Sequence, residues 1–191
     1  MRAFIALELG EALLDALEGA VIRLGRSGPG ARWVRRESMH LTLAFLGEVS
    51  DSLVPRVGQV LDDVAARHPP HALAVRGSGT FGPLTHPRVL WAGVADPEGA
   101  LGRLQRDVTQ GLASLGLSPD HERFSPHITL ARAKQPRGDA LLEQAAGTLG
   151  GASFGTLEVA ELVLFSSESG PSGMRYRAVH TGRLRGATSP G

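Results

Sequence analysis

The segment His40-Leu41-Thr42-Leu43-Ala44-Phe45-Leu46 returns 87 positions later (127 − 40) as His127-Ile128-Thr129-Leu130-Ala131. Both copies read as β-strands, because apolar side chains alternate with other types and β-branched residues are present. Side chains alternate across a strand, so His40 and Thr42 share one face while Leu41, Leu43 and Phe45 share the other. The same parity sets His127 and Thr129 opposite Ile128 and Leu130. Each copy thus shows an imidazole and a hydroxyl side by side on an otherwise apolar strand.

The repeat extends beyond these strands. Under the same shift Phe4-Ile5-Ala6-Leu7 meets the segment at Trp91, Glu11 falls on Glu98, Leu14 on Leu101, and Asp51-Ser52 on Gly138-Asp139. The order strand, helix, histidine strand, helix, strand occurs twice. We therefore expect one α+β domain over 1–184, bilobal and internally duplicated, with pseudo-repeats of about 1–87 and 88–184 and strands open to exchange between lobes. Two antiparallel sheets would line a central cleft, with helices outside and the histidine strands facing each other across it. Residues 185–191 read as a flexible tail.

Periodicity fills in the elements. Phe4–Leu9 is a strand, and Leu13, Leu14, Leu17, Val21 and Leu24 form a helical stripe. Trp33-Val34 is a short strand or ordered loop. A second helix starts near Ser52 with Pro55 in its first turn, its buried face formed by Val57, Val60, Leu61 and Val64. Strands follow at Ala72–Phe81 and Arg88–Val94. Asp96-Pro97 reads as an N-cap with proline at the first helical position, ahead of Leu101, Leu104, Val108 and Leu112. A helix spans about Asp139 to Leu149, and the last strands are Leu157–Phe165 and Met174–Leu184.

Composition excludes several functions. No cysteine is present, so disulfides, thiol nucleophiles and thiolate metal sites are out. The net charge of +1 does not suit a bulk polyanion binder. Its basic residues are nearly all arginine, whose planar fork suits phosphate, although for most of them the nucleotide composition that also gives abundant Gly and Ala is explanation enough. No apolar run has the length of a membrane span. Met1–Glu8 resembles a first strand more than a signal peptide, so the default location is cytoplasmic.

Two imidazoles flanking one guest suit acid–base chemistry: one takes a proton while the other gives one. The division fits hydrolysis or transfer at phosphorus, with the Thr42 and Thr129 hydroxyls bonding non-bridging oxygens. One histidine on a strand is ordinarily structural; two in identical contexts at matched positions are not. Metal binding is the rival use. Neither motif contains Asp or Glu, and no His-x-x-x-His pattern occurs, so no metal site or cofactor is expected. His68, His71, His86, His121 and His180 lack repeated context and read as ordinary. By parity Phe45 packs in the core, and Trp33 and Tyr176 either stack on a base or fill core or interface positions.

The two His-x-Thr-x motifs resemble those of the 2H phosphoesterase superfamily. Their flanks, with Phe45-Leu46-Gly47-Glu48 after the first and Phe124-Ser125-Pro126 before the second, are similar to the RNA 2′,3′-cyclic phosphodiesterase (2′-5′ RNA ligase) family. The resemblance implies a bilobal fold and metal-free hydrolysis of an RNA terminal 2′,3′-cyclic phosphate to a 2′-phosphate. It implies His40 as proton donor to the departing 3′ oxygen and His127 as proton acceptor from the attacking water. Thr42 and Thr129 would hold the phosphate. Arg132 would bind substrate, provided that a bulge or strand end turns it from the face opposite His127. The implied partner is RNA or a nucleotide with a cyclic phosphate end, with no membrane and no obligatory protein partner. Ligation in the reverse direction, or a binding module without turnover, would keep the same residues.

Overall fold

The computed structural model describes residues 1–27, 31–119, 124–170 and 173–187. In chain order the elements are β1 (Arg2–Leu7), α1 (Glu11–Ser27), β2 (Arg32–Trp33), a 3₁₀ turn (Arg36–Ser38), β3 (Leu41–Glu48), α2 (Val54–Ala65), β4 (His71–Phe81), β5 (Val89–Ala95), α3 (Ala100–Ala113), β6 (His127–Arg132), α4 (Leu141–Leu149), β7 (Ser153–Val159), β8 (Glu161–Gly170) and β9 (Gly173–Arg183). His121 and residues 188–191 of the expected tail lie outside the described residues. Arg185 and Gly186 donate backbone bonds to the carbonyls of Ala65 and His68.

The architecture is α+β, built on two antiparallel sheets. One has the order β3-β1-β8-β9, the other β2-β6-β5-β4-β7. Each sheet takes strands from both halves of the sequence: β8 and β9 join β1 and β3, while β4 joins β5 and β6. Helices cross over too. The chain leaves β1 of the first sheet, yet α1 packs on β7 of the second; it leaves β5 of the second, yet α3 packs on β3 of the first.

Burial explains the packing. Leu13, Leu17, Val21 and Leu24 of α1 and Leu101, Leu104, Val108 and Leu112 of α3 are buried, as the helical period requires. They join Leu61, Leu90, Ile128, Leu142 and Leu157 in one core that runs through both sheets. Fully burying a side chain of this size stabilises by roughly 1.5–3 kcal/mol. On the cleft side of the first sheet, Phe4, Ala6, Val163 and Phe165 form a second, small cluster. No helix of the described residues is long and apolar enough to cross a membrane.

Two elements differ from the sequence reading. Leu157–Phe165 is not one strand: it breaks at Ala160 into β7 and β8, which belong to different sheets. No breaker residue marks that crossing; what changes is the burial, from interrupted in β7, where only Phe154, Leu157 and Val159 are buried, to continuous over Leu162–Ser166 in β8. The third helix begins at Ala100 and not at Pro97. Gly99 stands before it at φ +68°, and Asp96 caps from further back, accepting the Gly102 N–H at 2.9 Å. The left-handed turn at Gly99 lets the carboxylate reach across a longer approach.

Candidate active site

The two histidine motifs lie on β3 and at the start of β6, which contact each other where the sheets meet. His40 itself stands immediately before β3. Both histidines and both threonines line one cleft of about 430 Å³.

A pair of bulges shapes the cleft walls. Between β1 and β3, Ile5 pairs with Ala44 and Ala6 with Thr42, so Leu43 is skipped. Between β5 and β6, Leu90 pairs with Ala131 and Trp91 with Thr129, so Leu130 is skipped. Leu43 and Leu130 are themselves 87 positions apart (130 − 43). An extra residue reverses the facing of everything after it. Phe45 therefore does not pack in the core, as strict alternation predicts: it is 56% exposed and lines the cleft. Arg132 also lines the cleft, by the bulge that its expected role demanded.

Both imidazoles are anchored alike. His40 Nδ1 lies 2.8 Å from the Ser38 carbonyl oxygen, and His127 Nδ1 lies 2.8 Å from that of Ser125. A carbonyl only accepts, so Nδ1 carries the hydrogen in each ring and Nε2 is left to meet a guest. Aromatic rings hold them from the side. Phe4 lies 4.8 Å and Tyr176 5.3 Å from His40, the latter perpendicular. Phe81 lies 4.8 Å from His127, also edge-on, and Trp91 6.5 Å away.

Electrostatics favour an anion. Among the described residues Arg2 and Arg132 line the cleft and no carboxylate does. Among them too, the Thr42 and Thr129 hydroxyls have no hydrogen-bond partner and Arg132 has no ion pair, so all three are free for a ligand. Burial pushes the His40 imidazole down to about 4; the Ser38 carbonyl partly opposes this, and Arg132 and His127 add to it. His127 is also lowered, by burial first, with the Ser125 carbonyl opposing and Arg132 assisting. Among the described residues no group of three His, Cys, Asp or Glu side chains is placed to hold a metal ion.

The sequence model of the 2′-5′ RNA ligase superfamily matches residues 13–171. The chain belongs to this superfamily. Among its curated members, the RNA 2′,3′-cyclic phosphodiesterase of Methanothermobacter thermautotrophicus is 32% identical over 184 residues, which cover 96% of this chain and 99% of that protein. Two solved structures share the fold. The Thermus thermophilus protein TT0787 has a TM-score of 0.83 at 29% identity, covering 98% of this chain and 100% of that one. Escherichia coli LigT complexed with 3′-AMP has a TM-score of 0.75 at 26% identity, covering 96% and 97%.

In this superfamily member the remaining aromatic and histidine residues sort by position. Tyr176 lines the cleft against His40, whereas Trp33 packs on the core. His68 bonds Asp107 at 2.8 Å and His180 bonds Asp62 at 3.0 Å, and neither lines the cleft. Phe45 is the residue that parity misplaced. Its signal was present: each motif is followed by two consecutive apolar residues, Leu43-Ala44 and Leu130-Ala131, which break the alternation. All four are buried.

Proposed function

We propose that this chain hydrolyses the 2′,3′-cyclic phosphate at the end of an RNA or nucleotide to a 2′-phosphate, without a metal ion. Water attacks phosphorus and gives its proton to Nε2 of His127. The bond from phosphorus to the 3′ oxygen breaks, and that oxygen takes the proton of His40 Nε2. Thr42, Thr129 and Arg132 bond the non-bridging oxygens, where negative charge is carried in the transition state.

The observation that carries this reading is the common anchoring of the two imidazoles, each held at Nδ1 by a carbonyl two residues back. It leaves two Nε2 atoms free toward one cleft that no carboxylate lines among the described residues. The curated relative's name supplies the reaction class. His40, lowered to about 4 in the free protein, must hold a proton for the step. The bound phosphodiester anion favours this, because a nearby opposite charge stabilises the imidazolium.

The test is an oligonucleotide with a 2′,3′-cyclic end, incubated with the protein in excess chelator. We expect a 2′-phosphate product. A 3′-phosphate, or turnover only after a divalent metal is restored, overturns the proposal.

A further inference from the structure

Arg36 lies outside the acid–base step, yet it meets three carboxylates beside the site. Its guanidinium reaches Glu11 Oε2 at 2.6 Å, Asp15 Oδ1 at 2.7 Å and Glu18 Oε2 at 3.3 Å. These three carboxylates fall on one stripe of α1, at spacings of four and three residues. Arg36 opens the 3₁₀ turn that ends at Ser38, and its own carbonyl accepts the Met39 N–H at 3.1 Å. The Ser38 carbonyl then accepts from His40 Nδ1. A short covalent path therefore joins the clamp on α1 to the atom that orients the first imidazole.

The second motif carries a different constraint at the place that matches Met39. Pro126 stands between Ser125 and His127; its ring fixes its own φ and restricts Ser125 to extended backbone. Met39 occupies the matching place in the first motif, with no ring to impose its φ of −77°. Arg123, the match of Arg36 under the repeat, lies outside the described residues.

We propose that Arg36 is a positioning residue: held by Glu11, Asp15 and Glu18, it fixes the turn whose Ser38 carbonyl sets the His40 ring, supplying rigidity that Pro126 contributes to the second motif. The carboxylates are exposed or half-exposed, and ion pairs of this kind add little to stability. Their effect is on geometry, where a displacement of about 1 Å can cost about a hundredfold in rate. The consequence for rate rests on the hydrolytic reading above; the consequence for the His40 ring does not.

The experiment uses the full chain with Arg36→Ala, Arg36→Lys and the triple variant Glu11→Gln/Asp15→Asn/Glu18→Gln. It measures melting temperature, kcat and KM on a cyclic-ended oligonucleotide, and the imidazole ¹⁵N shifts, which report the tautomer. In Arg36→Ala and the triple variant we expect kcat to fall about tenfold with KM within about twofold, on the scale that misplacement allows. The Nδ1–H tautomer of His40 should give way to a mixture while that of His127 stays, and Arg36→Lys should recover part of both effects. An unchanged His40 tautomer overturns the proposal, as does equal disturbance of both histidines or a collapse of the melting temperature in both Arg36→Ala and the triple variant. If the wild type fails to hydrolyse the oligonucleotide, the hydrolytic reading falls and the ¹⁵N shifts still decide the clamp.

Discussion

Phe45 and Arg132 occupy matching places in the two motifs, each five residues after its histidine, and both face the cleft because a bulge precedes each of them. The matched bulges thus present an aromatic ring from one wall and a guanidinium from the other. One suits a base and the other a phosphate, and the two roles separate kinetically.

The aromatic wall should govern binding. Stacking on an exposed ring contributes about 1–3 kcal/mol per base and tolerates any base. Phe45→Ala should raise KM for a cyclic-ended oligonucleotide about tenfold with kcat within about threefold, and Phe45→Trp should stay near wild type. Steady-state kinetics on substrates ending in each of the four bases checks this; a fall in kcat alone would place Phe45 elsewhere in the mechanism.

The cationic wall should govern both binding and chemistry. Losing one preorganised donor to transition-state charge costs about 10²–10³ in kcat. We expect Arg132→Ala to fall in that range, with Lys recovering only part because it lacks the planar fork. The same change should raise the His40 imidazole in the free protein, since Arg132 helps to lower it. An NMR titration of His40 in the variant reads the sign directly.

Removing either imidazole should cost most of the turnover. General acid–base catalysis supplies about 10²–10⁴ for each partner. His40→Ala and His127→Ala should therefore each lose at least about a hundredfold in kcat while keeping the far-ultraviolet circular dichroism of the parent. Near-wild-type rates in either variant would refute the assignment.

The lowered imidazoles set the pH dependence. In the proposed mechanism the active form carries one proton between the two rings, and both give up protons more readily than a free histidine. In kcat/KM, which reports the free protein, activity should rise as pH falls from about 7 towards about 5. In kcat, which reports the complex, the phosphate anion raises both imidazoles and the profile should lie to the alkaline side.

Stability should follow the same groups. Between its ordinary value of 6.5 and about 4, His40 binds more protons unfolded than folded, so stability rises with pH across this window. Melting temperature should decline as pH drops from 6.5 to about 4, and His40→Asn should flatten part of that slope. A melting temperature that climbs on acidification would contradict the burial of a neutral ring.

The sequence by itself showed the repeated His-x-Thr motif and the helical stripes, and from them came the expectation of paired acid–base chemistry. Local periodicity and composition carry these, and each motif is complete within a short stretch around His40 or His127. Even Arg132 was legible as a candidate, because phosphate calls for a cation near the imidazoles. Tertiary structure alone decided which way Phe45 and Arg132 face, since a bulge is a relation between two strands that one strand's alternation does not show. It also decided that α1 and α3 cross to the opposite sheets and that Leu157–Phe165 divides between them. Pairing partners lie far apart in the chain, and only the packed core selects among them. The Nδ1 bonds, the depth of each ring and the approach of Arg36 to α1 are distances in space, so the lowering of the His40 imidazole comes from the fold and not from the motif.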